Sequence, residues 1–70
     1  MKMSDVDLNL FVVFDAIYTE GNLTRAGEII GITQPAVSNS LSRLRTLFDD
    51  PLFVRTAEGM VPTPVSQNII

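Results

Sequence analysis

The stretch TQPAVSNSLSRLRTLF, residues 33–48, decides the fold that we predict for this chain. Its apolar residues recur at spacings of four, three and four, the pattern of a helix that packs one face on a core. These residues are Val37, Leu41, Leu44 and Phe48. The opposite face lacks the mixture of Glu and Lys that usually solvates a surface helix. It carries Gln34, Ser38, Asn39, Ser42, Arg43 and Thr46. Such side chains suit base edges and phosphates, so we predict the recognition helix of a helix-turn-helix.

The residues in front of this helix supply a helix start and a tight turn. Thr33 is a good N-cap, and Pro35 lies in the first turn, where its fixed φ is already helical. Further upstream, Asn22 can cap a short helix that ends at Gly31. Gly31 allows the chain to reverse, and we expect Ile32 to lie in the core between the two helices.

Small residues in the short helix, residues 23–30, indicate where two helices cross. Ala26 and Gly27 would allow a close approach. A glycine in a helix interior costs roughly 1 kcal/mol relative to alanine. We therefore expect close helix contact to compensate at Gly27.

The N-terminal part of the chain predicts a strongly apolar helix over residues 8–20, with Asp7 as its N-cap and residues 1–6 frayed. A broad apolar arc is predicted to face the core. It consists of Leu10, Phe11, Val13, Phe14, Ile17 and Tyr18. A second stripe at i, i+4 and i+8 is formed by Leu8, Val12 and Ala16. This stripe is covered either by the end of the same chain or by a dimer partner.

The segment LFVRTAEGMVPT, residues 52–63, predicts a two-stranded hairpin, with Gly59 supplying a positive φ. A hairpin on three helices is a wing, and Arg55 is its only basic residue. Thr63 and Pro64 then predict another helix that starts at Val65. The predicted fold class is therefore mainly α: a winged helix-turn-helix of three helices and a two-stranded β-hairpin wing, followed by the start of a linker helix. We expect the chain to be a fragment of a longer protein.

The composition argues against an enzyme. The 70 residues suffice for one small domain, and they include no cysteine and no histidine. Thiolate metal sites and the commonest general base are therefore missing, and the carboxylates are scattered without a tuned pair. We expect no catalytic residue, no metal and no cofactor in this chain. The apolar runs are shorter than the ~18 residues of a membrane span, and no signal peptide is evident, so we expect a cytoplasmic protein without a membrane partner.

The charge is polarised along the chain. The net charge of −3 disfavours nucleic acid when taken as one figure. Residues 22–48, however, carry Arg25, Arg43 and Arg45 against Glu28, a balance of +2. Any DNA affinity of one such domain should therefore be modest and strongly salt-dependent.

Four short motifs, in this order, resemble the N-terminal winged helix-turn-helix domain of LysR-type transcriptional regulators. They are T-R-A at residues 24–26, Q-P-A-V-S at 34–38, L-F-V-R at 52–55 and P-T-P at 62–64. The resemblance spans roughly residues 6–67 and is greatest to the branch of nodulation regulators and LeuO-like regulators, which share the opening DLNLFVVFDAI and the R-L-R at 43–45. Most other members have glutamate in place of Arg45 and glycine in place of Phe48, and many have arginine in place of Asn39.

The resemblance implies contacts to double-stranded DNA. Residues implied to face the major groove are Thr33, Gln34, Pro35, Ala36, Ser38, Asn39, Ser42 and Arg43. Backbone contacts are implied for Thr24, Arg25, Arg55 and Thr63. The amides of Gln34 and Asn39 can pair with adenine, and Arg43 can engage guanine or a phosphate, while hydroxyl groups mostly position the domain.

Some of these side chains have an alternative interpretation. Ser38 and Ser42 can be ordinary solvated residues on the helix surface. Arg43 and Arg45 can simply favour the negative end of the helix dipole. Arg55 can pair with Asp49 or Asp50.

The resemblance also implies a larger assembly. It implies homodimers paired through linker helices, tetramers, an interrupted inverted repeat in the DNA, and a C-terminal domain that binds a small-molecule inducer. We accordingly divide the chain into a DNA-binding domain, residues 1–63, and the start of a truncated dimerisation helix, residues 64–70, with the effector-binding domain absent. The alternative is a winged-helix protein–protein interaction module without DNA binding. The acid-free face of the second helix of the helix-turn-helix argues against it.

Overall fold

Four helices and one β-hairpin follow one another along the chain. The computed structural model describes the backbone of residues 3–69 and the side chains of residues 10–69. The elements are α1 (Met3–Glu20), α2 (Leu23–Ile30), α3 (Gln34–Phe48), β1 (Phe53–Thr56), β2 (Gly59–Pro62) and α4 (Pro64–Ile69). This arrangement confirms the predicted winged helix-turn-helix. None of the helices within residues 3–69 has the length and apolar content required to cross a membrane.

Side-chain caps fix the starts of both helices of the helix-turn-helix. Asn22 Oδ1 accepts a hydrogen bond from the Arg25 amide at 3.0 Å, and Thr33 Oγ1 accepts one from the Ala36 amide at 3.3 Å. Each cap satisfies an amide that has no partner within its own helix. The predictions for Asn22 and Thr33 are therefore confirmed, as is the end of α2 at Gly31.

The turn between α2 and α3 packs through its backbone. A Cβ on Gly27 would lie 2.7 Å from the carbonyl oxygen of Ile32 and 3.2 Å from Val37 Cγ2. The predicted close contact at Gly27 is thus confirmed. The prediction that the Ile32 side chain fills the core is wrong, because this side chain is 39% exposed. The Ile32 amide donates to the Gly27 carbonyl at 2.9 Å, so backbone atoms of residue 32 pack against α2 at the crossing.

The first helix begins earlier than its local signals indicate. It starts at Met3, so Asp7 lies inside the helix and the predicted N-cap is wrong. No glycine or proline stands between Met3 and Asp7, and acidic residues near a helix N-terminus interact favourably with its dipole. The helix therefore extends through the segment that we predicted to fray, of which residues 1–2 lie outside the described backbone.

The core lies where α1, α2, α3 and the hairpin meet. It contains Leu10, Val13, Phe14, Ala16, Ile17, Leu23, Ala26, Val37, Leu41, Leu44, Leu52, Phe53 and Met60. Phe11 is 44% exposed, so its predicted place in the core is wrong. It lies at the margin of the core, where its ring meets the edge of the half-buried Phe48 at a centroid distance of 6.4 Å.

The predicted second stripe of α1 is not continuous. Ala16 is buried against the core, whereas Val12 is 53% exposed. The side chain of Leu8 lies outside the described residues. Among side chains 10–69, no α4 residue lines the grooves beside Val12, so α4 does not cover the stripe at this residue.

The hairpin is a wing attached to the junction of α1 and α2. The strands pair antiparallel, which confirms the predicted hairpin, and Phe53 lies opposite Pro62 and Thr56 opposite Gly59. Gly59 has φ +118°, and a Cβ there would meet the Gly21 carbonyl oxygen at 2.5 Å. The Met60 amide donates to that same carbonyl at 2.9 Å. The close backbone approach therefore requires glycine at residue 59.

A hydrogen-bond network joins the end of α3 to the start of α4. Asp50 Oδ2 accepts from the Leu52 amide at 2.8 Å and from Thr63 Oγ1 at 2.7 Å. Thr63 Oγ1 accepts from the Ser66 amide, which makes Thr63 the predicted cap of α4. The Leu52 carbonyl accepts from the Thr63 amide and from the buried Ser66 hydroxyl. We call these four residues the Asp50 network.

Candidate nucleic-acid interface

The helix α3 has one buried face and one free face. Val37, Leu41 and Leu44 are buried on the core side. The exposed members of the predicted contact set on α3 are Gln34, Pro35, Asn39, Ser42 and Arg43, while Ala36 and Ser38 are half-buried. No acidic residue occurs in α3. The free face therefore offers hydrogen-bonding groups and positive charge to a partner.

A hydrogen bond along this face orients the first amide. Gln34 Nε2 donates to Ser38 Oγ at 3.2 Å. One N–H and the carbonyl oxygen of the Gln34 amide remain, and these two groups are what bidentate pairing with adenine requires. Ser38 accepts this bond, so its own O–H stays available as a donor.

Two open clefts lie between the helices and the wing. The first, which we call the α2–wing cleft, has a volume of about 260 Å³ and brings Thr24, Gln34 and Arg55 together. Asn22 also lines it and was not among the predicted site residues. Residues from α2, α3 and the wing thus share one concave surface, although they are far apart in sequence.

The second cleft, the α3–wing cleft, has a volume of about 240 Å³. It is lined by Leu23, Ser38, Leu41, Ser42, Arg45, Arg55 and Met60. Ser38, Ser42 and Arg45 follow one another at spacings of four and three, so they lie on one side of α3. Leu23, Arg55 and Met60 line both clefts, so Arg55 lies between the two.

Arg55 is exposed and, among the described side chains, makes no ion pair. The alternative in which it pairs with Asp49 or Asp50 is therefore wrong. The Asp50 carboxylate instead accepts hydrogen bonds from Leu52 and Thr63. Within residues 10–69, the guanidinium of Arg55 thus has no partner and can contact a molecule outside the chain.

Arg45 holds the base of the wing, a role that the sequence did not reveal. Its Nε donates to the Pro51 carbonyl at 2.7 Å, and its Nη2 donates to the Phe53 carbonyl at 3.1 Å. The side chain thus does more than complement the helix dipole. Its spacing from Ser38 and Ser42 places the three residues on one side of α3, but only the structure shows that this side meets the wing.

Two predicted backbone contacts have partners within the chain. Arg25 Nε lies 3.8 Å from Glu20 Oε1, and the Arg25 side chain is 64% exposed. Such a long, exposed pair is weak and leaves the cation available. The Thr63 hydroxyl donates to Asp50 and accepts from Ser66, and Thr63 lies in neither cleft.

Comparison with known sequences identifies the family. The description "Bacterial regulatory helix-turn-helix protein, lysR family" matches residues 8–67. The chain is 51% identical over 69 residues to the HTH-type transcriptional activator NahR of Pseudomonas putida, covering 99% of the chain and 23% of NahR. It is 55% identical over 58 residues to the HTH-type transcriptional regulator LeuO of Escherichia coli (strain K12), covering 83% of the chain and 18% of LeuO. The chain thus spans about a fifth of the length of these curated relatives.

Comparison with solved structures agrees with the sequence relatives. The probable transcriptional regulator PA0477 from Pseudomonas aeruginosa superimposes with a TM-score of 0.86 at 41% identity, over 90% of this chain and 21% of that chain. The similarity to LeuO confirms the resemblance to LeuO-like regulators that the opening segment and the R-L-R motif indicated. On these grounds the chain belongs to the LysR family of bacterial regulatory helix-turn-helix proteins.

Proposed function

We propose that this chain binds double-stranded DNA in a sequence-specific manner and thereby regulates transcription. In this proposal α3 enters the major groove and the wing lies on the sugar-phosphate backbone. The acid-free, exposed face of α3 carries the proposal, because it presents amides, hydroxyls and a guanidinium from a helix whose other face is anchored in the core.

The proposed contacts divide into base contacts and backbone contacts. Gln34 and Asn39 would read adenine, and Arg43 would engage guanine or a phosphate. The remaining groups would position the domain on the duplex. Those on the backbone are Thr24, Arg25, Arg55 and Thr63, while Thr33, Pro35, Ala36, Ser38 and Ser42 would face the major groove beside the base-reading residues. Thr24 and Arg55 share a cleft with Gln34, which supports a joint contact surface.

The organisation of the whole protein is part of the proposal. The relatives NahR and LeuO are named as a transcriptional activator and a transcriptional regulator, and this chain corresponds to about a fifth of each. We propose a winged domain over residues 1–63, a dimerisation helix that starts at residue 64, and a separate domain for a small-molecule inducer. A cytoplasmic homodimer or tetramer would then place two α3 helices on an interrupted inverted repeat.

Selection from a random duplex library tests the proposal. We expect the chain to enrich a defined half-site at low salt. Gln34→Ala or Asn39→Ala should each relax the preference at one base pair, by about 1–3 kcal/mol of discrimination. Glu28→Ala is a matched control on the exposed side of α2, outside the proposed contact set, and should leave the enriched sequence unchanged.

A selection that enriches no particular sequence would contradict the proposal. If the chain binds all duplexes equally, and the two amide variants behave as the parent does, α3 is not a reading helix. A module that binds another protein through its acidic segments would then be the better interpretation of the net charge of −3.

A further inference from the structure

The α3–wing cleft concentrates positive charge that the predicted contact set only partly includes. Arg45 and Arg55 both line it, together with the hydroxyl-bearing residues Ser38 and Ser42. None of its lining residues is acidic. In a chain whose net charge is −3, such a cleft favours an anion with several acceptor oxygens.

The guanidinium of Arg45 is held in place, and part of its hydrogen-bonding capacity remains available. Two of its five N–H donors are engaged by the carbonyls of Pro51 and Phe53. Neither carbonyl carries a net charge, so the positive charge of Arg45 is not neutralised. The side chain still lines the cleft, and its fixed position lowers the entropy lost when it meets a ligand.

The other donors of the cleft are also available. Arg55 makes no ion pair among side chains 10–69. The Ser38 hydroxyl accepts from Gln34 and keeps its own proton for donation. We propose that the α3–wing cleft binds one phosphate of the DNA backbone, and that Arg45 contributes to this site beside Arg55. The inference rests on the proposed function and adds a contact that the sequence did not assign.

The salt dependence of binding to a duplex of arbitrary sequence tests this site. Each phosphate contact contributes about 0.9 to the slope of log K against log salt concentration. Because Arg55 still faces the same phosphate, we expect Arg45→Gln to reduce the magnitude of the slope by up to about 0.9, and Arg45→Lys, which keeps the charge, to retain the parent slope. Asp15→Asn changes the net charge on α1, away from both clefts, and should leave the slope unchanged.

A purely structural Arg45 gives a different result. If Arg45 only holds the wing, Arg45→Gln weakens binding with an unchanged slope, and this outcome would overturn the inference. Circular dichroism shows whether the variant is folded. If the variant is not folded, an NMR titration of the parent chain with a duplex tests the site instead. We expect the Nε–H resonances of Arg45 and Arg55 both to shift. An Arg45 resonance that does not shift contradicts the site.

A titration with inorganic phosphate distinguishes a DNA phosphate from a free anion as the ligand of the cleft. We expect the duplex to move both resonances in the same direction as inorganic phosphate does. A response to inorganic phosphate alone would assign the cleft to a free anion and overturn the assignment to DNA. The slope is measured on arbitrary DNA, so failure to select a half-site would contradict the proposed function and leave these slopes unaffected.

Discussion

At the scale of single residues, Gly27 illustrates how backbone packing outweighs helix propensity. Replacing it by alanine should gain about 1 kcal/mol of propensity. The new Cβ, however, would lie 2.7 Å from the Ile32 carbonyl oxygen, a backbone atom that cannot simply rotate away. Overpacking of this kind costs about 1–3 kcal/mol, so we expect a net loss of unfolding free energy for Gly27→Ala.

Urea denaturation of Gly27→Ala measures this loss directly. Glu28→Ala is the matched control, because it changes the adjacent, exposed position in the same helix. Equal stability of Gly27→Ala and the parent would mean that α2 and α3 can separate at little cost.

For Asp49 we predict the opposite effect, a gain in stability when the residue is replaced by glycine. It ends α3 with φ +52°, a left-handed conformation in which glycine has no steric penalty. The side chain is exposed, and no described hydrogen bond uses it. Asp49→Gly should therefore raise the unfolding free energy by about 0.5–1 kcal/mol.

The control for Asp49 is alanine at the same position. Asp49→Ala removes the same carboxylate but keeps a Cβ in the left-handed conformation, so it should not stabilise the chain. Thermal unfolding of the two variants side by side separates backbone strain from charge. A gain in stability for both would assign the effect to the lost charge.

At the scale of elements, the Asp50 network couples α3 to α4. Asp50→Ala leaves the Leu52 amide and the Thr63 hydroxyl without their acceptor, which should lower the unfolding free energy by about 1–3 kcal/mol. Thr63→Val removes the other partner, and a double-mutant cycle should give a coupling of about 0.5–3 kcal/mol. Strictly additive losses in urea denaturation would show that the two residues act separately. Thr63→Ser retains the hydroxyl and should cost little.

The elements also show which features the sequence could predict. The caps of α2 and α3 and the hairpin depend on signals within a few residues, and these predictions are confirmed. The start of α1 was missed because Asp7 resembles a cap, although the helix has no local reason to stop there. Ile32 and Phe11 were misplaced because hydrophobicity alone does not tell which apolar side chain reaches the core.

The candidate site was predictable only where it depends on local signals. The polar face of α3 follows from helical periodicity. That Gln34 and Thr24 share a cleft with Arg55, by contrast, depends on how the wing docks against the helices. Likewise, the bonds from Arg45 to Pro51 and Phe53 join residues six and eight positions apart across a chain reversal that the helix pattern does not encode.

At the scale of the whole molecule, the number of basic residues limits DNA affinity. The chain has five Lys and Arg residues. Even if each neutralised one phosphate, the slope of log K against log salt could not exceed about 4.5 in magnitude. We expect a smaller slope, since eight acidic residues give the chain a net charge of −3.

Fluorescence anisotropy over a series of salt concentrations measures this slope. Binding by a single chain should be detectable at low salt and should fall steeply as salt rises. Two linked chains on one duplex should bind far more tightly, because the second contact becomes intramolecular. A slope near zero would show that phosphate contacts do not hold the complex together.

The Asp50 network also bears on where the chain can be cut near its C-terminal end. The buried Ser66 hydroxyl and the Thr63 amide both bond to the carbonyl of Leu52, which itself lies wholly inside the protein. A chain cleaved after residue 63 would lose the Ser66 hydroxyl and leave the core open to water at Leu52. The first turn of α4 therefore completes the core of the winged domain, and we expect that a truncation intended to isolate this domain needs to include Ser66.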